Sequence, residues 1–286
     1  MLSYCHSIAW MACVGVAAWN LSLTWVGIAQ TCCAQQPELQ LVWEDDFDGP
    51  GLDFSKWECE VNAFGGGNNE LQLYTDRTEN VRVVDGVLII EARADKPSIS
   101  GTERLYSSGR VRTKHRGDWC YGRFEVSAKL PVGQGVWPAI WMMPTQDKYG
   151  SWAASGEIDI MEYRGQTSNE VLGTLHFGGS WPNNQYAPKP ASPYRLPQGT
   201  FADGFHRFVL EWEKGVMRWY VDDVLVQTID RWESSGGAFP APFDKLFHLI
   251  LNIAVGGGFV GDVGSGTKFP QQMQVDYVRV YQRPVR

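Results

Sequence analysis

The chain has 286 residues, a formal charge of −7, and a composition that is 44% hydrophobic and 20% charged. That length suits one large β domain or two small domains, and the negative balance argues against nucleic acid, anionic membrane surfaces and strongly anionic polysaccharides as partners. Thirteen Trp and eleven Tyr are a heavy aromatic load; part of it belongs in a core, and part suits stacking on the flat C–H faces of sugar rings.

Residues 1–34 contain no Lys, Arg, Asp or Glu, and 8–29 are mostly apolar. The segment reads as a signal peptide without the usual basic n-region, with cleavage near Ala29 or Ala34 and a secreted, periplasmic or cell-surface destination. A membrane anchor is the competing reading. The run is about long enough, but Asn20, Ser22 and Thr24 interrupt it. Lipid attachment at Cys32 or Cys33 is disfavoured by the neighbouring Gln30 and Thr31. Loss of the leader removes Cys5, Cys13, Cys32 and Cys33, leaving Cys59 and Cys120, which an oxidising compartment permits to pair. No CxxC pair or His/Cys cluster suggests zinc.

From residue 39 onward, short β-rich runs alternate with Gly, Pro, Asn and Asp. Strands are predicted at 87–90, 122–130, 208–212, 217–221, 224–229, 247–255 and 273–281. Asp222-Asp223 suits a tight hairpin turn between two of them. No amphipathic helical pattern follows residue 34, no repeat is present, and no linker divides 35–286. The expectation is one all-β domain built as a two-sheet sandwich. Loops at 62–70, 95–107, 145–155 and 178–200 are expected to rim an open edge or concave face. Gly65, Gly66 and Gly67 shape the first of these; no Lys-Ser/Thr follows, as a phosphate loop requires.

The segment Glu157-Ile158-Asp159-Ile160-Met161-Glu162 puts three carboxylates into an apolar stretch. Buried acids are costly unless paired or used, so this segment is the candidate for chemistry. In a strand, Glu157 and Asp159 share a face while Glu162 falls on the other. A β-bulge at Ile160-Met161 absorbs one residue and returns Glu162 to the shared face. The two glutamates then stand about four strand positions apart, roughly 13 Å along the backbone. With both side chains leaning inward, their carboxyls approach to on the order of 5 Å, the spacing of a retaining glycosidase. Asp159, between them, can separate their pKa values.

This segment resembles the signature of glycoside hydrolase family 16 in its bulged, laminarinase-like form. Supporting matches run through Gly67-Asn68-Asn69-Glu70-Leu71-Gln72, Trp137-Pro138-Ala139-Ile140-Trp141-Met142, Ala154-Ser155-Gly156, Thr174-Leu175-His176-Phe177-Gly178-Gly179 and the stretch from Leu249 to Gly257. The resemblance implies a β-jelly-roll sandwich with a concave substrate cleft. It assigns Glu157 as nucleophile, Glu162 as general acid/base and Asp159 as their electrostatic partner. It further implies Trp141 and Trp137 as sugar-stacking rings, Arg110 and Asn69 as contacts to sugar hydroxyls (with Asn68 as the alternative to Asn69), and His176 as a cleft histidine. Asn252 alternates with Leu251 and Ile253, and faces the cleft if they face the core.

The resemblance also implies that the chemistry requires no cofactor, and that a structural Ca2+ sits away from the acids on Asp46, the Gly86 carbonyl and Asp276. Phe259 stands where the family often has Trp near the cleft. The implied partner is β-1,3-glucan, cleaved by endo action with retention, by a monomer with no obligate protein partner. Mixed-linkage glucan or a galactan is the alternative substrate, transglycosylation the alternative outcome, and a non-catalytic glucan-binding module the alternative class.

Overall fold

Antiparallel hairpins whose residues alternate between a dry and a wet face close a core when two sheets stack dry face to dry face. The computed structural model describes residues 38–284, in which this arrangement is complete; the leader expected at 1–34 lies outside the described residues. One sheet runs in the order Val224–Ile229, Val216–Val221, His206–Glu213, Gly122–Lys129, Gln271–Gln282, Val87–Ala92 and Val81–Val84, with Gln40–Asp45 also paired to Gln271–Gln282. The second sheet, which carries the three acids, runs Asn184–Ala187, Glu170–Gly178, Glu157–Tyr163, Val136–Pro144, Phe247–Val255, Arg110–Arg112 and Glu58–Cys59. Neighbours within both sheets are antiparallel. The fold is a two-sheet β-jelly-roll sandwich.

Phe124, Val126 and Trp212 of the first sheet and Ile140, Met142, Leu251 and Ile253 of the second are fully buried between the layers. The strand Phe247–Val255 is buried at all nine positions. Its inward residues are core, and its outward ones are covered by neighbouring side chains, which produces the continuous apolar run in its sequence. Asp222 and Asp223 form the two-residue turn between Val216–Val221 and Val224–Ile229, with φ of +48° and +69°. Both angles are positive, as a hairpin turn matched to strand twist requires.

Two of the expected loops contain strands. Segment 178–200 holds Asn184–Ala187 and Tyr194–Arg195, both paired to Glu170–Gly178. Segment 95–107 holds the hairpin Ser98–Ile99/Thr102–Glu103, and Tyr106–Ser108 pairs in parallel with Gln72–Tyr74. These pieces are short and polar, so they lack the apolar alternation that marks a strand in sequence. Segment 62–70 is centred on a 3₁₀ turn at Gly65–Gly67, and its end is fastened to the acid-bearing sheet by Leu71 N donating to Val255 O at 2.8 Å.

Candidate active site

The strand Glu157–Tyr163 is entered from Gly156, whose φ is +88°. A Cβ at Gly156 would stand 2.8 Å from Phe243 Cε1, so both conformation and space demand glycine. Asp159 pairs with Trp141 on one side and Thr174 on the other. The next partners are Met161 with Ile140 on one side, and Glu162 with Leu172 on the other. Ile160 has no partner in either register, so the strand carries the extra residue that parity demands. Ile158, Met161 and Tyr163 are core, Asp159 is 2% exposed, and Glu157 and Glu162 are half-buried.

The acids are held by groups from two elements. Trp152, in the loop before the strand, donates its indole N–H to Glu157 Oε2 at 2.7 Å. That loop is itself pinned. Ser155 Oγ accepts from Tyr149 N at 2.9 Å and donates to Gly150 O at 2.7 Å, and Trp181 N donates to Trp152 O at 2.9 Å. From the adjacent strand, His176 faces Glu157 across the ladder; its Nε2 lies 3.4 Å from Asp159 Oδ2 and 3.9 Å from Glu157 Oε1. The His176 ring also packs between Trp152 and Tyr186, at centroid distances of 5.6 and 6.2 Å.

Burial pushes all three carboxyls up. Glu157 rises to about 7, through desolvation first and the Asp159 charge second, while His176 and the Trp152 N–H pull it back. Burial raises Asp159. Glu162 rises well above the usual carboxylate range, again by burial first and then Asp159. Trp137 stands close enough to Glu162 to oppose that rise, although its N–H closes no hydrogen bond within the protein. The Trp152 N–H favours the ionised form of Glu157, and burial favours the protonated form of Glu162.

A second group of expected residues assembles beside the acids. Asn252 accepts from Trp141 Nε1 at 2.7 Å and donates through Nδ2 to Tyr74 OH at 3.0 Å. The Arg110 guanidinium lies over the Trp141 ring at 4.8 Å and the Tyr74 ring at 5.7 Å, with Nε 3.1 Å from Glu60 Oε2. Trp137 packs on Phe259 at 4.7 Å, and Arg164 covers the other ring at 4.1 Å. Among the buried polar atoms without a hydrogen bond are Trp137 Nε1, His176 Nδ1 and Asp159 Oδ2.

The sequence pattern of glycosyl hydrolases family 16 matches residues 55–279. The chain belongs to that family. It is 45% identical over 260 residues to a glucan endo-1,3-beta-glucosidase A1 of Niallia circulans; that match covers 85% of this chain and 38% of the longer relative. It is also 45% identical over 256 residues to a beta-glucanase of Rhodothermus marinus, covering 86% of each. Among solved structures, the catalytic domain of an endo-1,3-beta-glucanase (laminarinase) from Thermotoga petrophila superposes with a TM-score of 0.77 at 37% identity, over 87% of this chain and all of that one. The protein is thus a family 16 glycoside hydrolase.

Several expected positions acquire different settings in three dimensions. Asn252 is only 4% exposed and both ends of its amide are committed, so its influence on a sugar passes through Trp141. Arg110 is likewise buried in an ion pair with Glu60, which is shared with Arg112 at 2.7 Å. Asn69 sits exposed at the tip of its loop with φ of +60°, whereas neighbouring Asn68 is tied back, its carbonyl accepting from Gly258 N at 2.8 Å. Cys59 and Cys120 are free thiols in separate surroundings, both pushed up to about 11 by burial, one near Asp76 and the other near Asp244.

The calcium trio does not fit as drawn. Asp46 Oδ1 is paired with Arg279 Nη2 at 3.0 Å, and Asp276 Oδ2 accepts from Ser127 Oγ at 3.3 Å. A guanidinium already stands where Asp46 would meet a cation, so no role in the chemistry is routed through a metal. Glu157, Asp159 and His176 present ligand atoms within 4.8 Å of one another. In that cluster the Trp152 N–H holds Glu157 Oε2, and Glu157 Oε1 faces the His176 imidazole.

Trp152, Tyr74 and Glu60 are not legible as site residues in the sequence. Trp152 has a faint signal, as a lone indole in a Gly/Ser/Ala-rich loop five residues before Glu157. The other two come from distant segments and have none.

Proposed function

We propose that the protein cleaves β-1,3-glucan internally, with retention of configuration, and that it acts outside the cytoplasm. In the first step Glu162 gives its proton to the glycosidic oxygen as the C1–O bond breaks, while Glu157 Oε1 bonds to the anomeric carbon and forms a glycosyl ester. In the second, water adds to that carbon, its proton passes to Glu162, and the ester bond to Glu157 breaks. Trp152 occupies Oε2, which leaves Oε1 to attack. Asp159 and His176 set the charge around both glutamates, and Trp141 and Trp137 provide ring faces for sugars. The observation that carries the reading is the placement of two glutamates on one bulged strand, with an N–H donor fixed on Glu157 Oε2.

The glucan assignment is supported by relatives and neighbours named as endo-1,3-β-glucanases or laminarinases. The uncharged, apolar residues 1–34 support export. Reducing-end release from laminarin, barley glucan, agarose and carrageenan tests the substrate; internal cuts and the highest rate on laminarin are expected. A preference for agarose refutes it. Proton NMR of the first product gives the anomeric outcome, and an inverted product refutes the two-step route.

A further inference from the structure

The bulge that brings Glu162 into register is held from the opposite sheet. Trp219 lies on Val216–Val221, 2% exposed, and donates its indole N–H across the core to the carbonyl of Asp159 at 2.9 Å. That carbonyl belongs to the peptide entering Ile160, where both ladders lose register. A bulge leaves part of the ladder unmade, and a buried peptide group without a partner costs about 1–3 kcal/mol.

The residue opposite the bulge is glycine. Gly173 lies between Leu172, the partner of Glu162, and Thr174, the partner of Asp159. Its φ is not in the left-handed region, so the backbone does not demand glycine. Space does: a Cβ there would stand 2.5 Å from Trp219 Cδ1 and Nε1. The strand beyond secures the same spot, with Gln227 Nε2 donating to Gly173 O at 3.0 Å.

We propose that Trp219 and Gly173 form a lock that holds the bulge open by one residue and so sets the reach of Glu162. They are positioning residues for proton transfer. The idea rests on the reading of Glu162 as general acid. Without the indole N–H, the Asp159–Ile160 peptide seeks a partner in the sheet, and a shift of one residue turns Glu162 toward the core. Glu157, on the other side of the bulge, keeps its register with His176.

The test separates proton donation from general stability. Trp219→Phe, Gly173→Ala and Glu162→Gln are compared with a control, Trp212→Phe, another fully buried indole, whose N–H has no hydrogen-bond partner. For each, kcat/KM is measured on a laminari-oligosaccharide, whose leaving group needs a proton, and on a dinitrophenyl β-glycoside, whose leaving group does not. This ratio reports the first irreversible step, ester formation. Trp219→Phe is expected to lose about tenfold or more on the oligosaccharide, since small misplacements of a reacting group reach such factors, and less than about twofold on the activated glycoside. Gly173→Ala, which crowds the indole but keeps its N–H, is expected to show the same selectivity, and Trp212→Phe none.

Equal losses on both substrates, or none, in Trp219→Phe and Gly173→Ala overturn the lock. If Trp219→Phe does not fold, Gly173→Ala decides alone. A Glu162→Gln variant without selectivity overturns the acid assignment and the lock with it, whereas a selective Glu162→Gln beside unselective lock variants overturns only the lock.

Discussion

Replacing Trp152 by Phe keeps an aromatic ring against His176 and deletes one hydrogen bond, the 2.7 Å contact from Nε1 to Glu157 Oε2. A bond to a charged group is worth about 1.5–3 kcal/mol, and one pKa unit corresponds to about 1.4 kcal/mol. The donor favours the ionised form, so its loss raises Glu157 from about 7 by about one to two units. At neutral pH the ionised fraction then falls from roughly half to about a tenth or less. The assay is the pH dependence of kcat/KM on laminarin, whose acid limb reports the nucleophile of the free enzyme. The acid limb is expected to move up by one unit or more, with most of the lost rate recovered at higher pH until the Glu162 limb intervenes. A uniform drop with an unmoved acid limb refutes the reasoning and makes Trp152 a packing residue only.

Glu157→Gln is expected to abolish hydrolysis and stabilise the fold in a pH-dependent way. The folded-state pKa is raised to about 7 against 4.5 for the ordinary group, so the native state holds the extra proton between these values. Stability from this group is full below about 4.5 and is lost as pH rises through 7, by about 3 kcal/mol in all. The variant should therefore melt several degrees above the parent at pH 8 and match it near pH 4.5; equal melting at both removes the burial argument. Asn252→Ala leaves the Trp141 and Tyr74 polar groups without their partner, at a cost of about 1–3 kcal/mol in unfolding free energy. The same change is expected to raise KM more than it lowers kcat, and steady-state kinetics on laminarin that show the reverse split contradict the role given to Asn252. Chelation of divalent ions, followed by differential scanning fluorimetry, is expected to leave Tm unchanged. A Tm drop reversed by Ca2+ would show that Arg279 yields its place at Asp46 to a cation, since a ligand bound only to the native state stabilises it by mass action.

Much of this protein is local in origin. Alternating residues in 122–130, 208–212 and 273–281 mark strands without reference to any partner, because side-chain direction has period two along a single chain. The same parity, applied to Glu157, Asp159 and Glu162, demands an extra residue at Ile160-Met161, and the paired registers contain it. The short polar strands Asn184–Ala187 and Tyr194–Arg195 leave no alternating pattern in the sequence because they bury too little.

What contiguous residues cannot encode is which distant group fills a given lone pair. Asn252 was legible as facing away from the core, but its commitment to Trp141 and Tyr74 depends on the residue 72–74 segment crossing that face. Arg110 was legible as a polar contact; Glu60 claims it only because the edge strand Glu58–Cys59 lies along Arg110–Arg112. The three acids, their order and the parity that calls for a bulge are properties of six consecutive residues. Their ionisation is a property of the fold, because burial, the Trp152 N–H and the imidazole of His176 converge on them only after the sheet registers and loop contacts are complete.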